Sequence, residues 1–288
     1  MTAVDAAVPD WEFRLDDDHF RFFQGLARKE AGIELSDSKR ELVYGRLTRR
    51  LRTLGLPDFD GYCRLLAAEN SPERVNFVNA ITTNVTAFFR ENHHFDFLRN
   101  EALPELMRRR ATTKRLRIWS AACSTGQEPY SIAITTALSV PENQGWDWRI
   151  LAGDIDGNAV ARAEAGVYTT SDLTGVPESG EYRRWFKTRK GDPGSRVEVA
   201  QQLREKIYFR TLNLMEPWPM KGPIDVIFCR NVVIYFSKET QRRLFDRFAQ
   251  ILAPDGYLFI GHSESMLHSA DVFDLVHRTT YQPKGSRQ

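Results

Sequence analysis

Residues 120–133 read SAACSTGQEPYSIA. The stretch follows a strand-like run from Leu116 to Ala121 and leads into an apolar helical pattern, the place where doubly wound α/β folds bind nucleotides. The glycines usual in such a turn are missing apart from Gly126. Glu128 stands instead near the predicted helix start, directly before Pro129, a residue suited to the first helical position. A pyrophosphate there would meet a negative charge rather than bare backbone donors. The turn therefore argues against NAD and asks for a ligand that is cationic or rich in hydroxyls.

Downstream, apolar strand runs and helical patterns alternate: RIWSA, a helix to about Leu138, WRILAGDID, the helix NAVARAEAG, KIYFRTLNL, PIDVIFCRNVVIYF, a helix from about Lys238 to Leu252, and GYLFIGHSE. This rhythm predicts a mainly parallel sheet with helices on both faces, and right-handed crossovers place the loops after the strands along one ligand-binding edge. Residues Val167 to Arg210 interrupt it, and the turn-rich RKGDPGSRVEVA predicts a small hairpin insertion.

Upstream, residues 1–82 read as a helical N-terminal domain, with four helices in residues 16–82. The first ends at Gly32; the second has a cap-like Ser36 or Ser38 and closes on Gly55; FDGYCRLLAAEN and PERVNFVNAIT complete the set. In the second helix Val43, Leu47, Leu51 and Leu54 form a predicted buried stripe, with Lys39, Arg46, Arg49 and Arg50 largely on another face. Residues 83–115 read as a linker and connecting helix, and residues 116–288 as the α/β domain, with the insertion at about 170–210.

The 288 residues, 42% of them hydrophobic, allow two modest domains. No apolar run reaches the roughly 18 residues of a membrane span, and the N-terminal MTAVDAAVPDWEF lacks the regions of a signal peptide, so a cytoplasmic protein is expected. Three scattered cysteines, Cys63, Cys123 and Cys229, suggest neither a disulfide framework nor a thiolate metal site. A formal charge of +2 is too near neutral for a general nucleic-acid binder. Basic charge is nevertheless concentrated in Lys39–Arg52, net +5, and Tyr182–Arg210, net +6, two regions able to face acidic partners.

Asp154 closes the second strand, where a carboxylate can accept hydrogen bonds from both ribose hydroxyls, and Asp156 is its local rival. Either could instead cap the next helix. With Glu128 on the adjacent strand end, two carboxylates would enter one crevice. S-adenosylmethionine satisfies that pattern, having a ribose, an ammonium, a sulfonium and no phosphate. Arg90 in NVTAFFRENHHF is the candidate donor for its carboxylate.

The motifs NAITTNVTAFFRE, WSAACSTGQEPYS, ILAGDID and VIFCRNVVIYF, in this order after a helical module, resemble the chemotaxis receptor methyltransferases of the CheR family over about Phe20 to Tyr281. The resemblance implies methyl transfer from S-adenosylmethionine to glutamate side chains of bacterial chemoreceptors by a monomer recruited to receptor arrays. It also implies a helical N-terminal domain and a Rossmann-like methyltransferase domain with a small antiparallel subdomain. By matching positions, it implies a cofactor set of Asn84, Thr86, Arg90, Glu128, Asp154, Asn213, Leu214, Arg230 and Asn231. Tyr235 would face the methyl group, and Arg90 and Tyr235 would be the groups acting on the incoming carboxylate. Gln127 stands where family members often carry a second Glu. Lys39, Arg46, Arg49 and Arg50 would dock on the acidic methylation region of the receptor, a role that reversing Arg46 and Arg50 to Glu would test. RVEVA and KIYFR could offer an edge to a receptor tail peptide.

A glutamate carboxylate, with a reference pKa of about 4.3, is already ionised near neutral pH, so this chemistry needs positioning rather than a base. His93 and His94 are expected to diverge on a helix, and no metal is assigned. His262 reads as a structural hydrogen-bonding residue, and Cys123 and Cys229 as wall residues. The competing readings are a methyltransferase acting on RNA or a small molecule, and a non-catalytic cofactor-binding module. Against the first, the basic helix has few aromatics besides Tyr44; against the second, Arg90 and Tyr235 are both present.

Overall fold

The computed structural model describes residues 12–188, 196–266 and 269–285. The chain divides between Thr82 and Thr83 into two compact units.

The first unit contains α1 (Asp17–Ala31), α2 (Arg40–Leu54), α3 (Phe59–Ala67) and α4 (Glu73–Ile81). Local sequence sets their ends. Asp16 accepts the His19 N–H while the His19 ring accepts the Asp16 N–H, a reciprocal cap, and Gly32 ends α1 in the left-handed conformation at φ 71°. Phe23 is fully buried against the rings of Phe59, Tyr62 and Phe77, which ties α1 to α3 and α4. In α2 the buried stripe is Val43, Leu47, Thr48 and Leu51. Leu54, expected in that stripe, is 38% exposed because it is the last helical residue before the Gly55 turn.

In the second unit a turn at 83–92 leads into α5 (His93–Phe97), one π turn (Leu98–Ala102) and α6 (Leu103–Arg109). There follow β1 (Arg115–Ser120), α7 (Gln127–Ser139), β2 (Asp147–Asp154) and α8 (Gly157–Ala165). Next come β3 (Val167–Thr169), α9 (Gly180–Arg183), β4 (Phe186–Thr188), β5 (Arg196–Val199) and α10 (Gln201–Arg204). The chain closes with β6 (Ile207–Thr211), β7 (Ile224–Cys229), α11 (Lys238–Ile251), β8 (Leu252–Ile260), β9 (Phe273–His277) and β10 (Thr280–Pro283).

Seven strands form one sheet in the order β6-β2-β1-β7-β8-β10-β9. The first five are mutually parallel, and β10 runs antiparallel to both neighbours. Every residue of β7 is buried, as expected for a central parallel strand covered on both faces. Phe88, Phe89, Phe95 and Leu98 share one hydrophobic core with Ile118 of β1 and Tyr130 of α7. Residues 83–115 are therefore part of the second unit rather than a linker.

A separate antiparallel sheet in the order β3-β5-β4 forms the insertion. The KIYFR run is not its edge. It forms β6, paired parallel with β2 at the rim of the main sheet, with Ile207 and Phe209 buried and Tyr208 outward. The predicted hairpin turn, residues 189–195, lies outside the described residues. Among the described residues no helix is long and apolar enough to cross a membrane.

Candidate active site

Strand order reverses between β1 and β7, so the carboxyl ends of these strands open the crevice that such sheets use for ligands. Ser120 ends β1, opposite Phe228, and Arg230 follows β7 directly. Glu128, in the first turn of α7, bridges the two: Oε1 accepts from Ser120 Oγ at 2.8 Å and Oε2 from Arg230 Nη1 at 3.0 Å. All three residues are buried. Burial pushes the Glu128 carboxyl above its ordinary range, and the Arg230 charge and Ser120 bond only partly offset it.

The two aspartates have different partners. Asp156 is the N-cap of α8, accepting the Asn158 N–H at 2.9 Å, and its other oxygen takes the Asn84 amide at 2.7 Å. Asp154 instead shapes the crevice, accepting the Ser124 N–H at 2.7 Å on one oxygen and the Asp156 N–H at 3.0 Å on the other. With the Ile155 N–H also directed at this carboxylate, lone-pair capacity still remains for a ligand. Burial outweighs these donors and raises the Asp154 carboxyl. Gly126 is the glycine this turn cannot lose: at φ 99°, a Cβ there would lie 2.5 Å from the Tyr168 hydroxyl oxygen.

Arg90 lies in a strained turn, not on a helix. Its neighbours Phe89 and Glu91 both adopt positive φ, 53° and 58°. Phe89 is buried and donates its N–H to Ser131 Oγ at 2.9 Å, while Arg90 Nη1 closes the turn on the Val85 carbonyl at 2.8 Å. Arg230 Nη2 donates to the Arg90 carbonyl and lies 3.3 Å from Glu91 Oε2, fastening the turn to the switch point. Ser124 and Asn231 also have positive φ; with Phe89 and Glu91 they are four of the seven such non-glycine residues among those described. Strain of this kind gathers where function holds the backbone in place.

Beyond β7 the sequence reading needs correction. VVIYF is not a continuing strand: β7 stops at Cys229, and Val233–Tyr235 form a 3-10 turn. The cause is Glu264, whose carboxylate gathers the N–H groups of Asn231, Val233 and Gly261 at 3.0, 2.9 and 2.6 Å. Gln241 of α11 then holds the Val233 and Phe236 carbonyls. Phe236 is buried and Tyr235 half-exposed, so one of the adjacent rings is left toward solvent.

The family model described as "CheR methyltransferase, SAM binding domain" matches residues 84–282, and "CheR methyltransferase, all-alpha domain" matches residues 18–82. The chain belongs to the CheR methyltransferase family. Among curated members, a probable chemotaxis protein methyltransferase of Rhizobium etli is 46% identical, the match covering 88% of this chain and 95% of the relative. The chemotaxis protein methyltransferase of Salmonella typhimurium is 45% identical over 93% and 90%, and chemotaxis protein methyltransferase 2 of Pseudomonas aeruginosa is 42% identical over 94% and 95%. S-adenosylmethionine is thus the cofactor against which this CheR site must be tested. The donor set fits it: two buried carboxylates with raised pKa, Glu128 and Asp154, stand at neighbouring strand ends, and among the described residues the buried Arg230 Nε has no partner.

Other residues implied by the CheR resemblance are accounted for locally. Asn213 builds its own turn by accepting the Met215 N–H at 3.0 Å, and Leu214 is buried beside it. Thr86 is half-buried in the 83–92 turn. Gln127, the departure from a second Glu, accepts the Thr125 hydroxyl at 2.8 Å. Cys123 and Cys229 are buried, and burial pushes both thiols upward, as befits inert wall residues. In the helical unit Lys39 and Arg49 are exposed, but Arg46 and Arg50 are half-buried. Arg46 Nη1 donates to the Ala80, Ile81 and Thr82 carbonyls, and Arg50 forks onto Glu73.

Sequence reasoning missed Glu91, Glu264, Ser120 and Ser124. Glu91 carried a signal in standing beside Arg90. Glu264 carried none, because its partners Asn231 and Val233 are more than thirty residues away. The cavity of about 540 Å³ lined by Trp146, Trp148, Trp185 and Lys206 is a separate feature, since Trp148 lies near the start of β2, at the end opposite Asp154.

Proposed function

We propose that this chain transfers the methyl group of S-adenosylmethionine to glutamate side-chain carboxylates of bacterial chemoreceptors, forming glutamyl methyl esters. The carrying observation is the Ser120–Glu128–Arg230 bridge across the switch point, with Asp154 on the neighbouring strand end. The names of the curated relatives support the chemotaxis setting.

When bound, S-adenosylmethionine supplies an electrophilic methyl group on a sulfonium. The chain's residues supply attraction and placement. Asp154 holds ribose hydroxyls through its remaining lone pairs, and Glu128 presents negative charge to a cationic ligand. Asn84, Thr86, Asn213, Leu214 and Asn231 form the surrounding wall. The substrate glutamate is ionised near neutral pH, with a reference pKa of about 4.3, so no base is required. Arg90, on its strained turn, and the half-exposed Tyr235 are the donors that replace water around that carboxylate.

Lys39 and Arg49 supply the charge that steers acidic receptor segments, while Arg46 and Arg50 contribute mainly by holding the helical unit together. An edge strand of the β3-β5-β4 sheet, β3 or β4, is the place where a receptor tail peptide would add. The chain acts as a cytoplasmic monomer on membrane-bound receptor arrays.

The test is to incubate the protein with labelled cofactor and isolated chemoreceptors and to measure methanol released by mild alkali. Release that depends on the receptor and disappears in Arg90→Ala supports the proposal. Label that stays bound through alkali would overturn the ester assignment.

A further inference from the structure

Glu91, His93 and His94 meet in a way that the sequence did not lead one to expect. The two imidazoles do not diverge: their ring centroids are 4.2 Å apart. One donor atom from each of the three residues lies within 4.8 Å of the other two. His94 is fully buried, and among the described residues its Nδ1 has no hydrogen-bond partner, an unusual state for a polar atom in a protein interior. That nitrogen lies 3.6 Å from Glu91 Oε2. Two donors on one tetrahedral zinc ion, with bonds of about 2.0–2.2 Å, stand roughly 3.4 Å apart.

We propose that Glu91, His93 and His94 form a binding site for a borderline-soft divalent cation such as Zn²⁺, and that occupying it works against cofactor binding. Two imidazole nitrogens and one carboxylate favour zinc or cobalt over calcium or magnesium. The support behind His94 is in place. Its Nε2 is 2.8 Å from Thr279 Oγ1, an outer contact that leaves the Nδ1 lone pair for an ion when Nε2 carries the proton. His93 is half-buried, so its ring has room to rotate and bring in the third donor. A water or His262, whose Nδ1 is 2.8 Å from Glu91 Oε1, completes the shell.

Arg230 stands against the ion and gives it a consequence. Its Nη2 is 3.3 Å from the Glu91 oxygen that the ion would take. An ion here draws Glu91 from Arg230 and loosens the group that pairs with Glu128. This second part rests on the proposed cofactor role of that bridge. By linkage, bound cofactor would weaken metal affinity by the same factor.

The test begins by adding Co²⁺ to the full chain at neutral pH and following the intense visible bands of low-coordinate cobalt. One equivalent should bind and be displaced by Zn²⁺. His93→Ala should bind roughly 100-fold more weakly, because even outer-contact losses cost 10–100-fold at such sites. Thr279→Val should bind about tenfold more weakly for that same reason. Absence of bands, or equal affinity in His93→Ala and the parent chain, would mean an adventitious ion only and overturn the site. S-adenosylhomocysteine affinity is then measured with and without saturating Zn²⁺. A several-fold loss is expected, and no change would overturn the antagonism while the cobalt bands stand. If S-adenosylhomocysteine fails to bind even without metal, the cofactor assignment is at fault, and the bands alone judge the site.

Discussion

Each unit of the protein buries a glutamate beside an arginine, and the two pairs are satisfied in opposite ways. Glu73 of the helical unit accepts four hydrogen bonds, from Arg50 Nε and Nη2 at 2.9 and 2.8 Å, Tyr62 Oη at 3.1 Å and Asn76 Nδ2 at 2.9 Å. Glu128 accepts one from Ser120 and one from a single guanidinium nitrogen, while Arg230 Nη2 turns to the Arg90 carbonyl and Glu91. The carboxyl groups respond accordingly. Burial works to raise Glu73, but Arg50 and Asn76 outweigh it and hold the group below its ordinary value. In Glu128 burial wins. A carboxylate with four donors has nothing left for a ligand; one with two does.

The sharpest break of this comparison removes the arginine from each pair. Arg230→Met leaves both Glu128 and Glu91 without their cation, and losing one partner of a buried pair costs about 3–5 kcal/mol. Calorimetry should show Tm falling by roughly 10 °C and no detectable heat with S-adenosylhomocysteine. Arg50→Met should cost a similar amount of stability for the same reason. S-adenosylhomocysteine affinity should nonetheless stay within about twofold of the parent chain, because additivity holds for sites that share no partners. Equal loss of affinity in both variants would mean that the two pairs do the same structural work.

Asp154 and Asp156 repeat the contrast within three residues. Asp154→Asn should weaken S-adenosylhomocysteine about 10–100-fold, the worth of hydrogen bonds to a charged group at roughly 1.5–3 kcal/mol. Asp156→Ala removes the α8 cap and should cost about 1 kcal/mol in urea unfolding. It should change affinity much less than Asp154→Asn. If the order of the two affinities is reversed, the assignment of cap and ribose ligand must be exchanged.

How far these roles were legible in the sequence follows from how local they are. Glu128, Asp154 and the alternation of strands and helices are written in short stretches with their own periodicity, so the crevice and its acidic character could be read directly. The helix ends at Gly32 and Gly55 were equally local. Arg50 looked like a surface charge because its partner Glu73 lies 23 positions away in another helix. The end of β7 was misread because Glu264, 31 positions beyond Val233, draws the backbone into a turn that the apolar run VVIYF does not announce. His93 and His94 were placed by helical angles, yet they begin a short helix that leaves a left-handed Glu91.

Acid should separate the two pairs by a smaller margin. Glu128 and Asp154 have raised pKa values in the folded chain, so they take up protons above the ordinary carboxylate range as pH falls. S-adenosylhomocysteine affinity should therefore decline on acidification by up to about tenfold per pH unit for each proton taken up. Glu73 behaves in the other sense: its folded pKa is lowered, so its stabilisation is complete above the unfolded value and is lost only as pH falls through the folded one. Titration calorimetry alongside circular dichroism should thus find binding weakened at pH values where the fold is intact. Binding that stays constant until the chain unfolds would remove the distinction.

The smallest expected effect lies on the α2 surface. Reversing Arg46 would take a donor from the Ala80, Ile81 and Thr82 carbonyls and mix stability with recognition, and Arg50 carries the same difficulty through Glu73. Lys39 and Arg49 are exposed and give the cleaner test. Lys39→Glu with Arg49→Glu should lower kcat/KM for receptor methylation several-fold at low ionic strength, because surface charges act mainly on encounter. The defect should shrink at about 0.5 M salt, where the Debye length falls to roughly 4 Å. S-adenosylhomocysteine affinity and Tm should match the parent chain. If receptor methylation is unchanged at low salt, the basic face of α2 has no part in recognition, and Arg46 and Arg50 remain structural residues alone.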